Sequence, residues 1–124
     1  MTSVLGYART LLHGGDFRPA RLETFAEEIV RFHDTLAGLS RDFADPTLDA
    51  RISDEQFLQG PLSDAMTHAG QLGILRRLAG SPVASENFVF AKINAANVSA
   101  SQEEPAAPDD WWRPDEPPPF ERAT

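Results

Sequence analysis

The feature that most constrains the fold is a long apolar stripe at helical spacing, in the segment that follows Pro19. Its members recur every three or four residues: Leu22, Phe25, Ala26, Ile29, Phe32, Leu36 and Leu39. Charged residues such as Glu23, Glu27 and Arg31 occupy the other side. This period predicts an amphipathic α-helix from about Pro19 to Arg41 with one face in a core.

Three other helical segments are predicted from local signals. Apolar residues at helical spacing run through residues 2–13 before a pair of glycines, which predicts a helix there. Ser53 and Gln56 have the spacing of a capping box, which predicts a short helical turn through Leu58. Pro61 suits the first turn of a third long helix, and Gly80 ends it.

The third helix differs from the second because apolar residues cover most of its circumference. They are Leu62, Ala65, Met66, Ala69, Leu72, Ile74, Leu75, Leu78 and Ala79. A helix that is apolar nearly all round is typical of the middle of a packed structure. The sequence therefore predicts that this helix is buried, and it predicts an all-α helical bundle.

The C-terminal part of the chain has another composition. From Ser99 onward it holds six of the ten prolines and seven of the nineteen acidic residues, which predicts an irregular tail. We therefore expect a helical domain over residues 1–98 and a Pro-rich acidic tail over residues 99–124. Trp111 and Trp112 are unusual in such a tail and predict docking on this chain or on a partner. Residues 86–98 fit either a short helix or extended chain.

Composition excludes several classes of function. The chain has no cysteine, so it has neither a disulfide framework nor a thiolate metal site. Its net charge is −8 and Lys92 is the single lysine, which disfavours nucleic-acid binding. No apolar run reaches the length of a transmembrane helix, and no leader pattern is evident. We expect a cytoplasmic protein without membrane or nucleic-acid partners.

The run "THAGQLGILRRLAGSP" carries a family resemblance. It is similar to the last helix of the DinB-like four-helix bundles, which commonly show His, three residues and His-Arg-Gly-Gln, then Leu-Arg and a glycine. Here His68, Gly70 and Gln71 match that motif, and Asp64 stands where the family usually has its other histidine. The segment "RLETFAEEIVRFHDTLAGL" resembles the family's third helix. The resemblance covers roughly residues 1–97.

The resemblance implies an up-down helical bundle of DinB-like type that is N-terminally shortened. On this alignment the family's first helix and the start of its second would be absent, together with its first metal-binding histidine, so we expect a fragment, a mispredicted start or a reduced member. The family includes bacillithiol- and mycothiol-dependent S-transferases and putative metal-dependent enzymes. The implied function is a metal-dependent transferase or hydrolase with a small thiol cosubstrate.

Asp64 and His68 are the candidate metal ligands. Residues at i and i+4 project side by side from a helix, so both can reach one divalent transition metal, such as Zn, Ni, Mn or Fe. The alternative is that they form a satisfied polar pair. His33 borders the apolar stripe and is the candidate third ligand, although such a histidine more often bonds a backbone carbonyl. His13, at a helix end, favours a dipole-capping role.

A non-catalytic function is the alternative to the enzyme. A bundle that lacks a helix leaves an apolar face uncovered, and such faces mark interfaces. Pairing with a second chain would close the bundle, so we expect a homodimer or a complex with a protein partner.

Overall fold

The computed structural model describes residues 1–101, 103 and 106–108. Helices are the regular elements of this part of the chain, apart from one isolated β-bridge between Glu86 and Pro108. The elements in order are α1 (Thr2–His13), α2 (Phe25–Ala44), α3 (Asp54–Phe57), a π-helix (Leu58–Leu62) and α4 (Ser63–Leu78). The described residues are therefore all-α, as predicted.

Contacts within the chain group the described residues into two compact units. One comprises residues 1–70 with 95–101, and the other comprises residues 71–94 with 103 and 106–108. The predicted division between residues 98 and 99 stays a prediction, because most of the tail, including Trp111 and Trp112, lies outside the described residues. Residues 86–98 form no helix.

Helix α2 begins later than its apolar stripe predicts. Its N-cap is Thr24, whose hydroxyl accepts a hydrogen bond from the Glu27 amide while the Glu27 carboxylate accepts one from the Thr24 amide, at 2.9 Å. This capping box satisfies two amides at the helix start and so fixes the boundary. Leu22 and Pro19 lie in the preceding irregular segment.

The core lies in the first unit, between α1, part of α2 and α3. Its buried apolar residues are Leu5, Ala8, Leu12, Leu39 and Phe57. Half-buried residues pack around them: Phe32, Leu36, Leu48, Ile52, Leu62 and Ala65. The α2 stripe enters the core through its C-terminal half, whereas Phe25 is 82% exposed. Twelve-residue α1 is about 18 Å long and cannot cover the roughly 30 Å of twenty-residue α2.

A polar cluster ties α1 to α2 beside this core. Asp42, which is 8% exposed, accepts hydrogen bonds from Arg9 Nε at 2.6 Å and Arg9 Nη2 at 3.2 Å. His13 Nε2 lies 3.0 Å from the same carboxylate. The C-terminal ends of α1 and α2 are thereby joined. In an up-down arrangement the end of one helix meets the start of the next, so this contact does not follow the predicted pattern.

Gly38 makes the contact between Arg9 and α2 possible. A Cβ atom at this position would lie 2.5 Å from Arg9 Nη1 and 2.7 Å from Cζ. The guanidinium therefore lies against the helix backbone, where any larger residue would push it away from Asp42.

The helical segment around Pro61 also differs from its prediction. The Ser53 capping box is confirmed, with the Gln56 amide donating to Ser53 Oγ at 3.2 Å and the Ser53 amide to Gln56 Oε1 at 3.0 Å. The helix then continues through Pro61 instead of starting there. Proline has no amide hydrogen and its ring crowds the carbonyl four residues earlier. The backbone widens into a π-helix, in which the Ser63 amide donates to the Leu58 carbonyl.

The predicted burial of α4 is wrong. None of its sixteen residues is buried. Five large apolar side chains are between 50% and 79% exposed: Met66, Leu72, Ile74, Leu75 and Leu78. Its predicted end is confirmed, because Gly80 has a positive φ of 74° and the Ser81 amide donates to the Arg76 carbonyl at 2.9 Å, as in a Schellman motif. Among the described residues, no helix has the length and apolar character needed to cross a bilayer.

Gly38→Ala is expected to destabilise the protein by about 0.5–1.5 kcal/mol, because the methyl group forces the Arg9 guanidinium to shift and weakens its hydrogen bonds to Asp42. Alanine's higher helix propensity opposes this by at most about 1 kcal/mol. Denaturant unfolding followed by circular dichroism measures the change. Gly60→Ala is the matched control, since a Cβ there meets nothing within 4 Å and stability should hold or rise. Equal stability of Gly38→Ala and the parent would contradict this account of the cluster.

The Asp42 cluster also predicts a pH dependence. Hydrogen bonds from Arg9, and then from His13, lower the pKa of Asp42 in the folded protein. Ionised Asp42 therefore stabilises the fold at neutral pH, and this contribution is lost as the pH falls through the lowered pKa. Asp42→Asn should be less stable than the parent at pH 7, and the difference should shrink below about pH 4. Melting temperatures of both proteins between pH 7 and pH 2.5 measure it; a difference that does not change with pH would exclude this role.

Candidate functional site

Asp64 and His68 lie side by side on α4. His68 Nε2 is 3.6 Å from Asp64 Oδ1, which is beyond the range of a good hydrogen bond. The Asp64 side chain is 57% exposed and that of His68 is 38% exposed, so the expectation that both point into the interior is wrong. A carboxylate oxygen and an imidazole nitrogen at this spacing are both within reach of a single divalent ion.

His33 has another partner. Its Nδ1 lies 3.0 Å from the carbonyl oxygen of Val98, and its ring packs edge-on against Phe32 with 5.1 Å between centroids. A bond to a backbone carbonyl was the alternative to the metal-ligand role predicted for this histidine. In the part of the chain that the structure describes, no three His, Asp or Glu side chains group as metal ligands, so His33 does not join Asp64 and His68. Two donors are fewer than the three protein ligands of a typical catalytic zinc site.

Two other polar side chains, those of His13 and Arg76, have structural partners. His13 occupies the last turn of α1, as a dipole-capping residue would, and also contacts Asp42. Arg76 donates from Nε to the Ser81 carbonyl and from Nη2 to Ser81 Oγ, each at 3.0 Å, and so closes the C-terminus of α4. Asp42 was missed from the sequence, because its pairing requires the long-range meeting of α1 and α2.

A cleft of about 510 Å³ opens beside Asp64, between α1 and the π-helix. Its lining residues are Tyr7, Leu11, Ile52, Gln56, Gln59, Gly60, Pro61 and Asp64. The apolar side chains form most of its wall, and Asp64 is the acidic residue among these lining residues. Sequence reasoning missed this cleft; a proline inside a helical pattern was the signal that could have pointed to irregular backbone there.

A second cleft of about 430 Å³ lies beside the Asp42 cluster. Arg9 and His13 line it together with Asp16 and the hydroxyl residues Thr10 and Thr35. Charges of both signs face it, so its chemistry does not select one class of ligand.

Comparison with family models, curated proteins and solved structures finds no match to this chain. The DinB-like resemblance thus rests on the residues quoted above, and function has to be argued from the geometry.

Proposed function

We propose that the chain is a non-catalytic helical module that pairs with a second copy of itself through α4. The observation that supports this most directly is the exposure of five large apolar side chains on a sixteen-residue helix that has no buried residue. Met66 and Ile74 share one side of the helix, and exposed apolar side chains grouped in this way are typical of an interface.

The energetics favour pairing. Burying a large apolar side chain contributes about 1.5–3 kcal/mol. In a symmetric dimer the same patch serves both chains, so Met66 and Ile74 from each copy would together contribute about 6–12 kcal/mol. That gain is of the same order as the roughly 4–15 kcal/mol that association costs in lost freedom.

The composition of α4 suggests how two copies meet. At 100° per residue, Met66, Gly70, Gly73 and Arg77 fall on one stripe, with Ile74 beside it. A Cβ at either glycine would meet nothing within 4 Å, so neither glycine is required by packing against the described residues. Glycines allow two helix backbones to approach closely. A parallel pair would set Arg77 beside Arg77, whereas an antiparallel pair separates these charges and opposes the helix dipoles.

A metal-dependent enzyme is the second candidate. It is supported by the adjacent Asp64 and His68 and by the cleft that Asp64 lines, and the DinB-like resemblance implies a small thiol as cosubstrate. A site with three protein ligands would need another side chain besides Asp64 and His68, and no such side chain groups with them among the described residues. The interaction module is therefore the better supported proposal.

Met66→Glu/Ile74→Glu is expected to convert a dimer into monomers, raising the dissociation constant at least about tenfold, since charges would be desolvated in the contact. Sedimentation equilibrium over a range of concentrations measures it. Val30→Glu is the matched control, because Val30 is an equally exposed apolar residue on α2. A parent chain that stays monomeric at every concentration would end the proposal.

A second test distinguishes the effect of the glycines on the stability of α4 from their effect on association, and it uses the variants Gly70→Ala and Gly73→Ala. In a monomer each change should stabilise α4 by up to about 1 kcal/mol. In the proposed dimer the added methyl groups hold the helices apart, so association should weaken even as helicity rises. Tighter association in both variants would exclude the glycine contact.

The metal candidate predicts that untagged protein binds Zn²⁺, Ni²⁺, Mn²⁺ or Fe²⁺ with a stoichiometry that falls in Asp64→Ala and in His68→Ala. His33→Ala should retain the metal, because His33 contacts Val98 instead. Equilibrium dialysis with elemental analysis measures binding, and Glu55→Ala is the control for a lost surface carboxylate. No metal above background in the parent would remove this candidate.

A further inference from the structure

We propose that the cleft between α1 and the π-helix binds a small organic cation: an apolar body that carries an ammonium group. The inference rests on residues 1–70 alone and does not depend on pairing through α4. The cleft volume of about 510 Å³ lies within the usual range for small-molecule sites.

The acidic side chain in the lining favours a cationic ligand. Asp64 is the acidic residue of the lining, and neither lysine, arginine nor histidine lines this cleft within the described chain. His68 Nε2 lies 3.6 Å from Asp64 Oδ1, too far for a strong hydrogen bond. An ammonium group can approach the carboxylate to about 2.8 Å, as charge-assisted hydrogen bonds do. An anion would meet like charge and no basic side chain.

The apolar wall of the cleft favours a ligand with an apolar body. Leu11, Ile52 and Pro61 give the cleft an apolar surface, which favours a hydrocarbon or aromatic group. Tyr7 is half-exposed and packs edge-on against Phe17 with 5.5 Å between ring centroids. That contact restrains the tyrosine ring, whose face attracts a cation.

Polar groups near the carboxylate complete the site. The Gln56 side-chain oxygen accepts the Ser53 amide, so the orientation of that side chain is fixed by the capping box. Gln59, in the π-helix, adds an amide oxygen that can accept a hydrogen bond from an ammonium. Gln59 lies in the π-helix about one turn before Asp64, and both glutamines line the same cleft as this carboxylate.

The experiment is an NMR titration of the ¹⁵N-labelled full chain with benzylamine, in the presence of a chelator. Benzyl alcohol is the uncharged probe of the same shape, and phenylacetate is the anionic one. Benzylamine should shift amides of the cleft and bind about two- to fivefold more tightly than either. Asp64→Asn should weaken benzylamine by the same factor of about two to five, because solvent screens an ion pair with a half-exposed carboxylate.

Three further variants keep the result interpretable. Gly60→Leu should block benzylamine without changing charge, because a side chain at that position extends into open space at the cleft. Asp49→Asn removes an exposed carboxylate elsewhere and should leave binding unchanged. Met66→Glu/Ile74→Glu should also bind normally, which separates this site from pairing. Equal binding by the parent and Asp64→Asn, equal binding of the three probes, or no shift up to about 10 mM benzylamine would overturn the proposal.

Discussion

The arrangement of α1 and α2 depends on the contacts of one buried carboxylate, that of Asp42. It binds Arg9 and His13, two residues one turn apart on α1, and so holds the C-terminal ends of α1 and α2 together. A carboxylate that is 8% exposed is costly to bury unless it is paired, and here both oxygens have partners. A glycine at position 38 leaves room for this pairing, because the guanidinium lies where a side chain would be. One polar cluster therefore joins four residues on two helices.

Local signals in the sequence predicted local structure well. Helix α1, the Ser53 capping box and the end of α4 at Gly80 all depend on neighbouring residues, and the structure confirms them. The start of α2 was predicted too early, because apolar periodicity continues into the segment before Thr24 whereas the capping box decides where the helix begins. Pro61 was read as a helix start, but a widened π-helix accommodates it.

Burial could not be predicted in the same way, because it depends on which elements meet. The apolar circumference of α4 shows that the helix favours burial; it does not show what covers it. In α2 the same stripe is core at Leu39 and exposed at Phe25, since α1 is shorter than α2. For the candidate site, the adjacency of Asp64 and His68 followed from their spacing. The cleft next to Asp64 did not, because it forms where Tyr7 and Leu11 of α1 meet a distant segment.

Helical geometry allows α4 to serve two purposes at once. Asp64 and His68 project from the side opposite to the stripe that contains Met66, Gly70 and Arg77, at 100° per residue. A second chain seated on that stripe therefore leaves the carboxylate on the side of the cleft. Pairing would bury the apolar surface that makes an isolated α4 unfavourable in water, and ligand binding would use the charge that pairing does not touch. The sparse internal packing of α4 is thus consistent with a helix whose contacts are made with other molecules.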